Sequence, residues 1–327
     1  MTDPGFAARH WYRLSPVSVL LFPLSLVFRV AVAVRRLLYG LGVVASTRLP
    51  VPVVVVGNLT VGGAGKTPLV IALAESLRQR GLRPAILSRG YGGAGVSPRA
   101  VAPGEDPSRT GDEPVLLAER AGCPVWVGAD RVAAGLALCA AHPDRNVILC
   151  DDGLQHYRLR RDFEIAVEDE RGAGNGLLLP AGPLREPLTR RVDAKVINGG
   201  SGPGAFGMQL AVEGLYTVGN ASKRVEPSQL AGKKLHAVAG IGNPARFFST
   251  LSGMGLAFSP HPFPDHYAFL PEDLQFPDCD FVLMTEKDAV KCRRFGRLDF
   301  IAVRVKAKVD PALTELILER IRGRTPA

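Results

Sequence analysis

An α/β fold, with a mostly parallel sheet covered by helices on both faces, follows from two observations. Short runs such as Val53 to Val56 and Val147 to Cys150 are continuously apolar and rich in β-branched residues, the pattern of strands buried on both sides. Between such runs lie segments with apolar residues at helical spacing, and regular alternation of strand and helix builds parallel βαβ units. A Gly-rich turn between the first strand and the first helix adds a third, functional observation.

In chain order, the first element is the apolar stretch VSVLLFPLSLVFRVAVAV between Pro16 and Arg35. It has about the length needed to cross the hydrocarbon of a bilayer, but Pro23 interrupts it and Arg29 lies toward its C-terminal end. An arginine is tolerated near an interface, where it snorkels to headgroups, so a helix seated in one leaflet and a full span both stay open. Residues 1–45 are therefore expected to form a membrane-associated helical segment. Ala31-Val32-Ala33 imitates a secretory cleavage site, but the nucleotide-type loop that follows would have no use outside the cytosol.

After the strand at Val53 comes a helix from Pro68 to Arg80, with Leu69, Leu73 and Leu77 on one face and Gly81 as its stop. A strand at Pro84 to Leu87 closes the first βαβ unit. Helices are expected from Glu113 to Arg120 and Arg131 to Ala141, and strands at Val125 to Val127, Val147 to Cys150, Phe163 to Val167 and Lys195 to Ile197. The Gly- and Pro-rich run from Gly199 to Gly207 reads as a linker or domain edge, and the first domain is taken as 46–205. A smaller α/β domain, 206–327, would follow, with strands at Leu235 to Ala239, Phe281 to Met284 and Phe300 to Val303 and a last helix from Ala312 to Ile321.

Composition limits the function. With 327 residues and 46% apolar content the chain can bury two cores. The net charge of +9 is concentrated at the start, where Arg9, Arg13, Arg29, Arg35, Arg36 and Arg48 face only Asp3. Basic residues flanking an apolar segment suit an anionic membrane surface. No aromatic-rich basic motif accompanies them, so no nucleic-acid partner is expected, and no obligate protein partner is evident. The five cysteines are odd in number and lack a C-x-x-C pair, which fits reduced thiols rather than a disulfide framework or zinc site.

The chemistry centres on Thr60-Val61-Gly62-Gly63-Ala64-Gly65-Lys66-Thr67, which joins the first strand to a helix opening at Pro68. Glycines let backbone N–H groups close on phosphate oxygens, Lys66 reaches the β- and γ-phosphates, and the Thr67 hydroxyl is placed for Mg²⁺. A P-loop NTPase-like core is the result, although Thr60 stands where the usual pattern has glycine. A buried strand then delivers Asp151 and Asp152 to the sheet's open edge, where such proteins complete a Mg²⁺ site, and alternation leaves one of the two nearest the metal. Gln155 and His156 follow and are candidates to contact nucleotide, substrate or Asp152.

Polar groups also gather in the loops Ser88-Arg89-Gly90-Tyr91-Gly92-Gly93, Gly111-Asp112-Glu113-Pro114 and Pro180 to Pro187, the last carrying Arg185 and Glu186. Asp112 would be an ordinary helix N-cap on local grounds. Asp265 beside His266 pairs a carboxylate with an imidazole, and Gly240-Ile-Gly242-Asn-Pro244 is a weak dinucleotide-like turn. A P-loop switch ATPase or GTPase recruited to the membrane is the competing class. The GTPase version is disfavoured because Thr285-Glu286-Lys287-Asp288 has the wrong spacing for guanine recognition.

In this order, the apolar N-terminal segment, GNLTVGGAGKTP, SRGYGG, GDEP, DDGLQH, LLPAGPLREP, FPDHYAF and MTEKDAVK resemble the tetraacyldisaccharide 4'-kinase family over nearly the whole chain. The resemblance implies ATP as donor and, as acceptor, the 4'-hydroxyl of a tetraacylated glucosamine disaccharide 1-phosphate at the cytoplasmic face of the bacterial inner membrane. It carries the catalytic carboxylate onto Asp112, its assisting histidine onto His266, and acidic metal positions onto Asp151, Asp152 and Glu186. Arg89, Arg185 and Arg190 are candidates, on charge alone, for the substrate's 1-phosphate.

Overall fold

The structure, a computed structural model, describes residues 10–90 and 97–322. Its strands are β1 (Val53–Gly57), β2 (Pro84–Ser88), β3 (Arg99–Ala100), β4 (Val125–Val127), β5 (Val147–Asp151), β6 (Phe163–Asp169) and β7 (Ala194–Asn198). They continue with β8 (Gly200–Gly202), β9 (Ala205–Thr217), β10 (Asn220–Val225), β11 (Leu235–Ala239), β12 (Ser259–Pro262), β13 (Phe281–Thr285) and β14 (Phe300–Val309). All belong to one sheet, ordered β12-β11-β13-β14-β9-β7-β6-β1-β5-β2-β4-β3, with β8 and β10 paired to β9.

Two parallel blocks make up this sheet. β7, β6, β1, β5, β2 and β4 form the larger, in which β1 lies between β5 and β6 and all five of its residues are buried. β12, β11, β13 and β14 form the smaller. Long antiparallel pairing of β9 with β14, from Thr217 opposite Ile301 to Met208 opposite Val309, fuses the blocks. Helix Lys66–Gln79 covers one face of the larger block, packing Leu69, Val70 and Leu73 against Val54, Val56 and Leu149. Helix Arg131–Ala141 covers the other, where Val132, Ala134 and Leu138 meet Val53, Val55 and Cys150.

Two expectations change. The run from Gly199 to Gly207 is no free linker: β8 and the start of β9 fold on each other across Gly204, whose φ of 67° suits glycine, and β9 extends the sheet. The last helix, Pro311–Arg322, belongs to the larger block, where Leu313, Ile317 and Ile321 join the core beneath Leu69 and Phe163. β14 is ten residues long, and its length carries the chain back across the boundary that sequence placed at residue 205.

The N-terminal helix spans Pro16–Gly40, with Pro23 inside it. It buries Ser18 and Ser25, at 1% and 3% exposure, while Leu20 is 78% exposed and Val19, Leu24, Val27 and Val30 also face outward. The Ser25 hydroxyl donates to the carbonyl of Leu178, and Tyr39 stacks on Tyr157. A polar stripe thus docks on protein and an apolar surface is left outside, the reverse of an ordinary surface helix. All five cysteines are unpaired, as expected of reduced thiols.

Candidate active site

β1 runs out at Gly57 into the phosphate loop. Thr60 does not take up the backbone that demands glycine; it bridges to Leu184 as a short antiparallel pair, and Val61 N–H donates to Pro183 O at 2.8 Å. That extended pairing explains why threonine is accepted there. The left-handed positions are Gly62, φ 104°, and Gly65, φ 95°. A Cβ on Gly65 would fall 2.4 Å from Asn198 Nδ2, the atom that donates to the carbonyl of Ala64. Lys66 is buried at the start of its helix and donates to Asn58 Oδ1 at 3.1 Å, with Asp152 Oδ1 at 3.5 Å.

At the end of β5 the adjacent aspartates differ. Leu149 faces the core under the loop helix, so Asp151, two residues on, faces the same side as Thr67. Asp151 is 1% exposed, and neither carboxylate oxygen has a hydrogen-bond partner among the described residues. Burial, with the charge of Glu113 adding to it, pushes its carboxyl up to about 7. Asp152 leaves the strand at φ 49°, a left-handed conformation that aspartate tolerates better than most residues. Lys66 and Arg185, the latter at 3.1 Å, hold its carboxyl down at about 2 despite burial.

Glu186 is already engaged. Its Oε1 accepts from Gln155 and Arg190, and its Oε2 from the Tyr157 hydroxyl at 2.6 Å. Three of its roughly four acceptor sites are thereby used, and Oε2 keeps one for a further partner. Arg190 is corrected: the guanidinium is buried and paired with Glu164 and Glu186, out of reach of a substrate phosphate. Gln155 belongs to the same network, while Arg185 reaches both it and Asp152. His156 is half-buried, and burial beside Arg131 lowers its imidazole to about 4, which leaves it neutral. Arg89 lies exposed just past β2; Tyr91 to Gly93 of its motif fall outside the described residues.

Across the cleft stands a second charged group. Asp112 opens helix Asp112–Arg120, but the N-cap is Gly111 and the Asp112 side chain accepts only the next amide, Glu113 N–H, from its own helix. The N-cap reading is therefore wrong, and the carboxylate is turned to His266, whose Nδ1 lies 3.1 and 3.2 Å from its two oxygens. Desolvation works against ionised Asp112, yet His266, Lys287 and Lys291 together bring its carboxyl below the usual range. Desolvation and the charge of Lys287 pull the His266 imidazole down, but the hydrogen bond to Asp112 and the charges of Asp112 and Asp265 together leave it raised.

Sequence reading missed the residues that join the blocks. Arg171, fixed by Asp169, donates to Gly63 O at 2.9 Å and to Gly242 O at 2.7 Å, spanning the phosphate loop and the turn after β11. A Cβ on Gly242 would meet Gly63 N at 2.2 Å, so Gly240 to Gly242 is an abutment for the phosphate loop rather than a dinucleotide turn. Asp288 accepts from Gly240 N–H and pairs with Lys291, whose Nζ is 3.9 Å from Asp112. TEKDAVK had offered a usable signal: Thr285 caps a helix that places Lys287 and Asp288 each about one turn before Lys291. A cavity of about 450 Å³ lies in this cleft, lined by Gly65, Lys66, Thr67, Glu113, Gly242 and Lys287 among others.

A phosphate loop at the carboxyl edge of a parallel sheet, facing an ionised carboxylate oriented by histidine, defines a P-loop phosphotransferase. Comparison with known proteins narrows that class. The family model for tetraacyldisaccharide-1-P 4'-kinase matches residues 17–322. A tetraacyldisaccharide 4'-kinase of Azoarcus sp. is 48% identical over 98% of this chain and 97% of its own, and one of Nitrosococcus oceani is 54% identical over 88% and 86%. A crystal structure described as "apo" form LpxK from Aquifex aeolicus in complex with ATP superposes with a TM-score of 0.78 at 31% identity, covering 93% of this chain and 99% of that one. The chain belongs to the tetraacyldisaccharide-1-P 4'-kinase family. It is thus a lipid-sugar kinase of lipid A biosynthesis.

Proposed function

We propose that the protein transfers the γ-phosphoryl group of ATP to the 4'-hydroxyl of a tetraacylated glucosamine disaccharide 1-phosphate, with Asp112 as general base. The observation that carries this is the pairing of Asp112 with His266 next to Glu113 and Lys287, which line the same cavity as Lys66 and Thr67. Loop amides and Lys66 hold the terminal phosphates, while Asp112, kept ionised, accepts the proton of the attacking hydroxyl. The new oxygen–phosphorus bond forms as the bond to ADP breaks. Positioning and charge neutralisation do most of the work in such a transfer, and little covalent chemistry is asked of the protein.

A divalent cation fits the residues present. Asp151 supplies two buried oxygens without hydrogen-bond partners among the described residues, on the side of the sheet that carries Thr67. We assign Mg²⁺ to Thr67 and Asp151, with Asp152 beside them restrained by Lys66 and Arg185. When bound, Mg²⁺ supplies charge neutralisation at the β- and γ-phosphates.

The expected result with γ-³²P-ATP, Mg²⁺ and tetraacyldisaccharide 1-phosphate in detergent micelles is a labelled lipid. ATP turnover indifferent to lipid, with no labelled lipid, would instead mark an ATPase switch and defeat the reading.

The exposed apolar face of the N-terminal helix, with Arg29, Arg35 and Arg36 along it, supports placement on the cytoplasmic face of the inner membrane. The protein should float with vesicles containing anionic lipid, and changing Leu20, Leu24 and Val27 to Ser should weaken flotation by roughly 100-fold, at a few kcal/mol of lost apolar burial. Unchanged flotation would remove the helix from that role.

A further inference from the structure

We propose that Lys287 is a positioning residue for phosphoryl transfer: its ammonium donates to Nε2 of His266 and so fixes the imidazole as the neutral tautomer whose Nδ1 proton is directed at Asp112. The inference rests on the reading of Asp112 as the base. Lys287 Nζ lies 3.3 Å from His266 Nε2, 2.9 Å from Glu113 Oε1 and 3.1 Å from Asp265 Oδ1. An ammonium has donors only, so a hydrogen bond at Nε2 requires a lone pair there, and in a neutral ring the proton is then on the other nitrogen. That nitrogen is the one facing both oxygens of Asp112.

The elements around the pair are arranged to hold this state. Glu113 from helix Asp112–Arg120 and Asp265 from the loop before His266 take two of the lysine's donors and aim the third. Helix Glu286–Cys292, capped by Thr285, fixes Lys287 itself and presents Lys291 to Asp112. His266 sits at φ 58°, in the left-handed region that histidine enters more readily than most residues. With a cation on Nε2, protonating the ring would set two positive charges side by side, so the site's proton-accepting atom is the Asp112 carboxylate. Lys287 also opposes protonation of both partners through its charge, lowering each.

The test combines a spectrum with kinetics. In native protein labelled with ¹⁵N-histidine in micelles, with His266→Asn to assign the signal, His266 should be neutral and protonated at Nδ1; an Nε2–H ring would overturn the proposal. Lys287→Met should convert the ring to Nε2–H or imidazolium and lower kcat by about ten- to a hundredfold. It should leave the KM for ATP within about twofold. The acidic limb of kcat/KM should move up by roughly one pH unit, because the pair binds its first proton more easily without the lysine's charge. Native kcat in this variant, or a loss confined to the KM for ATP, would overturn the proposal, the second by making Lys287 a phosphate ligand. Should Lys287→Met fail to fold, Lys287→Arg, which keeps charge and donors, should retain the Nδ1–H ring and the native acidic limb, and loss of either would refute it. Full activity in Asp112→Asn would be a different failure, that of the base itself.

Discussion

Asp112→Asn should bind ATP normally yet transfer phosphate to lipid about 10²- to 10⁴-fold more slowly than the native protein. Asparagine has nearly the same shape, and its amide oxygen can still accept from His266 Nδ1–H and from Glu113 N–H, the two groups that hydrogen-bond to the carboxylate now. The fold around the helix start is thereby retained. What disappears is the ability to take the hydroxyl's proton as the new bond forms, so the deficit belongs in kcat and not in the KM for ATP. Measured kcat within tenfold of native would show that Asp112 orients the acceptor without receiving its proton. Because neighbouring cations hold the native carboxyl below its usual range, the base is already ionised throughout the neutral range, and activity should not need an alkaline pH.

How much of this was legible beforehand depends on the reach of each interaction. β1, the phosphate loop and helix Lys66–Gln79 could be read directly, because their signals lie within thirty consecutive residues and the glycines report local backbone needs. The course of β9 and β14 could not. β9 is half-buried and Gly-punctuated, and only its partner, about ninety residues later, makes it a long strand. The destination of the last helix depended on the same strand length. Among polar residues, those joined to a recognisable motif were found, while the buried partners of Glu186 and Arg190 were not legible, because neither motif nor charge reveals which groups a side chain already holds. Their pairing with each other, with Glu164 and with Tyr157 is a burial effect, visible only once the loop Pro180 to Pro187 is seen folded under the N-terminal helix. Lys287 and Arg171 were missed for the converse reason, since each reaches a residue more than seventy positions away, Glu113 for Lys287 and Gly242 for Arg171.

Asp151→Asn should separate stability from activity in opposite directions. Among the described residues the native carboxyl is buried without a hydrogen bond, a state that costs about 1–3 kcal/mol. An amide of the same size carries no charge and is less penalised, so metal-free Asp151→Asn is expected to melt higher than native protein by roughly 2–4 °C. Transfer should fall nonetheless by on the order of 10³-fold, since the position would no longer offer two anionic oxygens to the cation that offsets phosphate charge. The same variant should lose the rise in melting temperature that added Mg²⁺ gives the native protein. Asp152 is not expected to substitute, because Lys66 and Arg185 already hold it, and freeing it would expose two cations that the phosphates themselves would then have to satisfy. A variant that is more stable, inactive and deaf to Mg²⁺ would place the cation on Asp151. One that keeps its response to Mg²⁺ would move the ion to the Asp152 side of the loop, and would make the unpartnered carboxylate of Asp151 a proton-binding group instead.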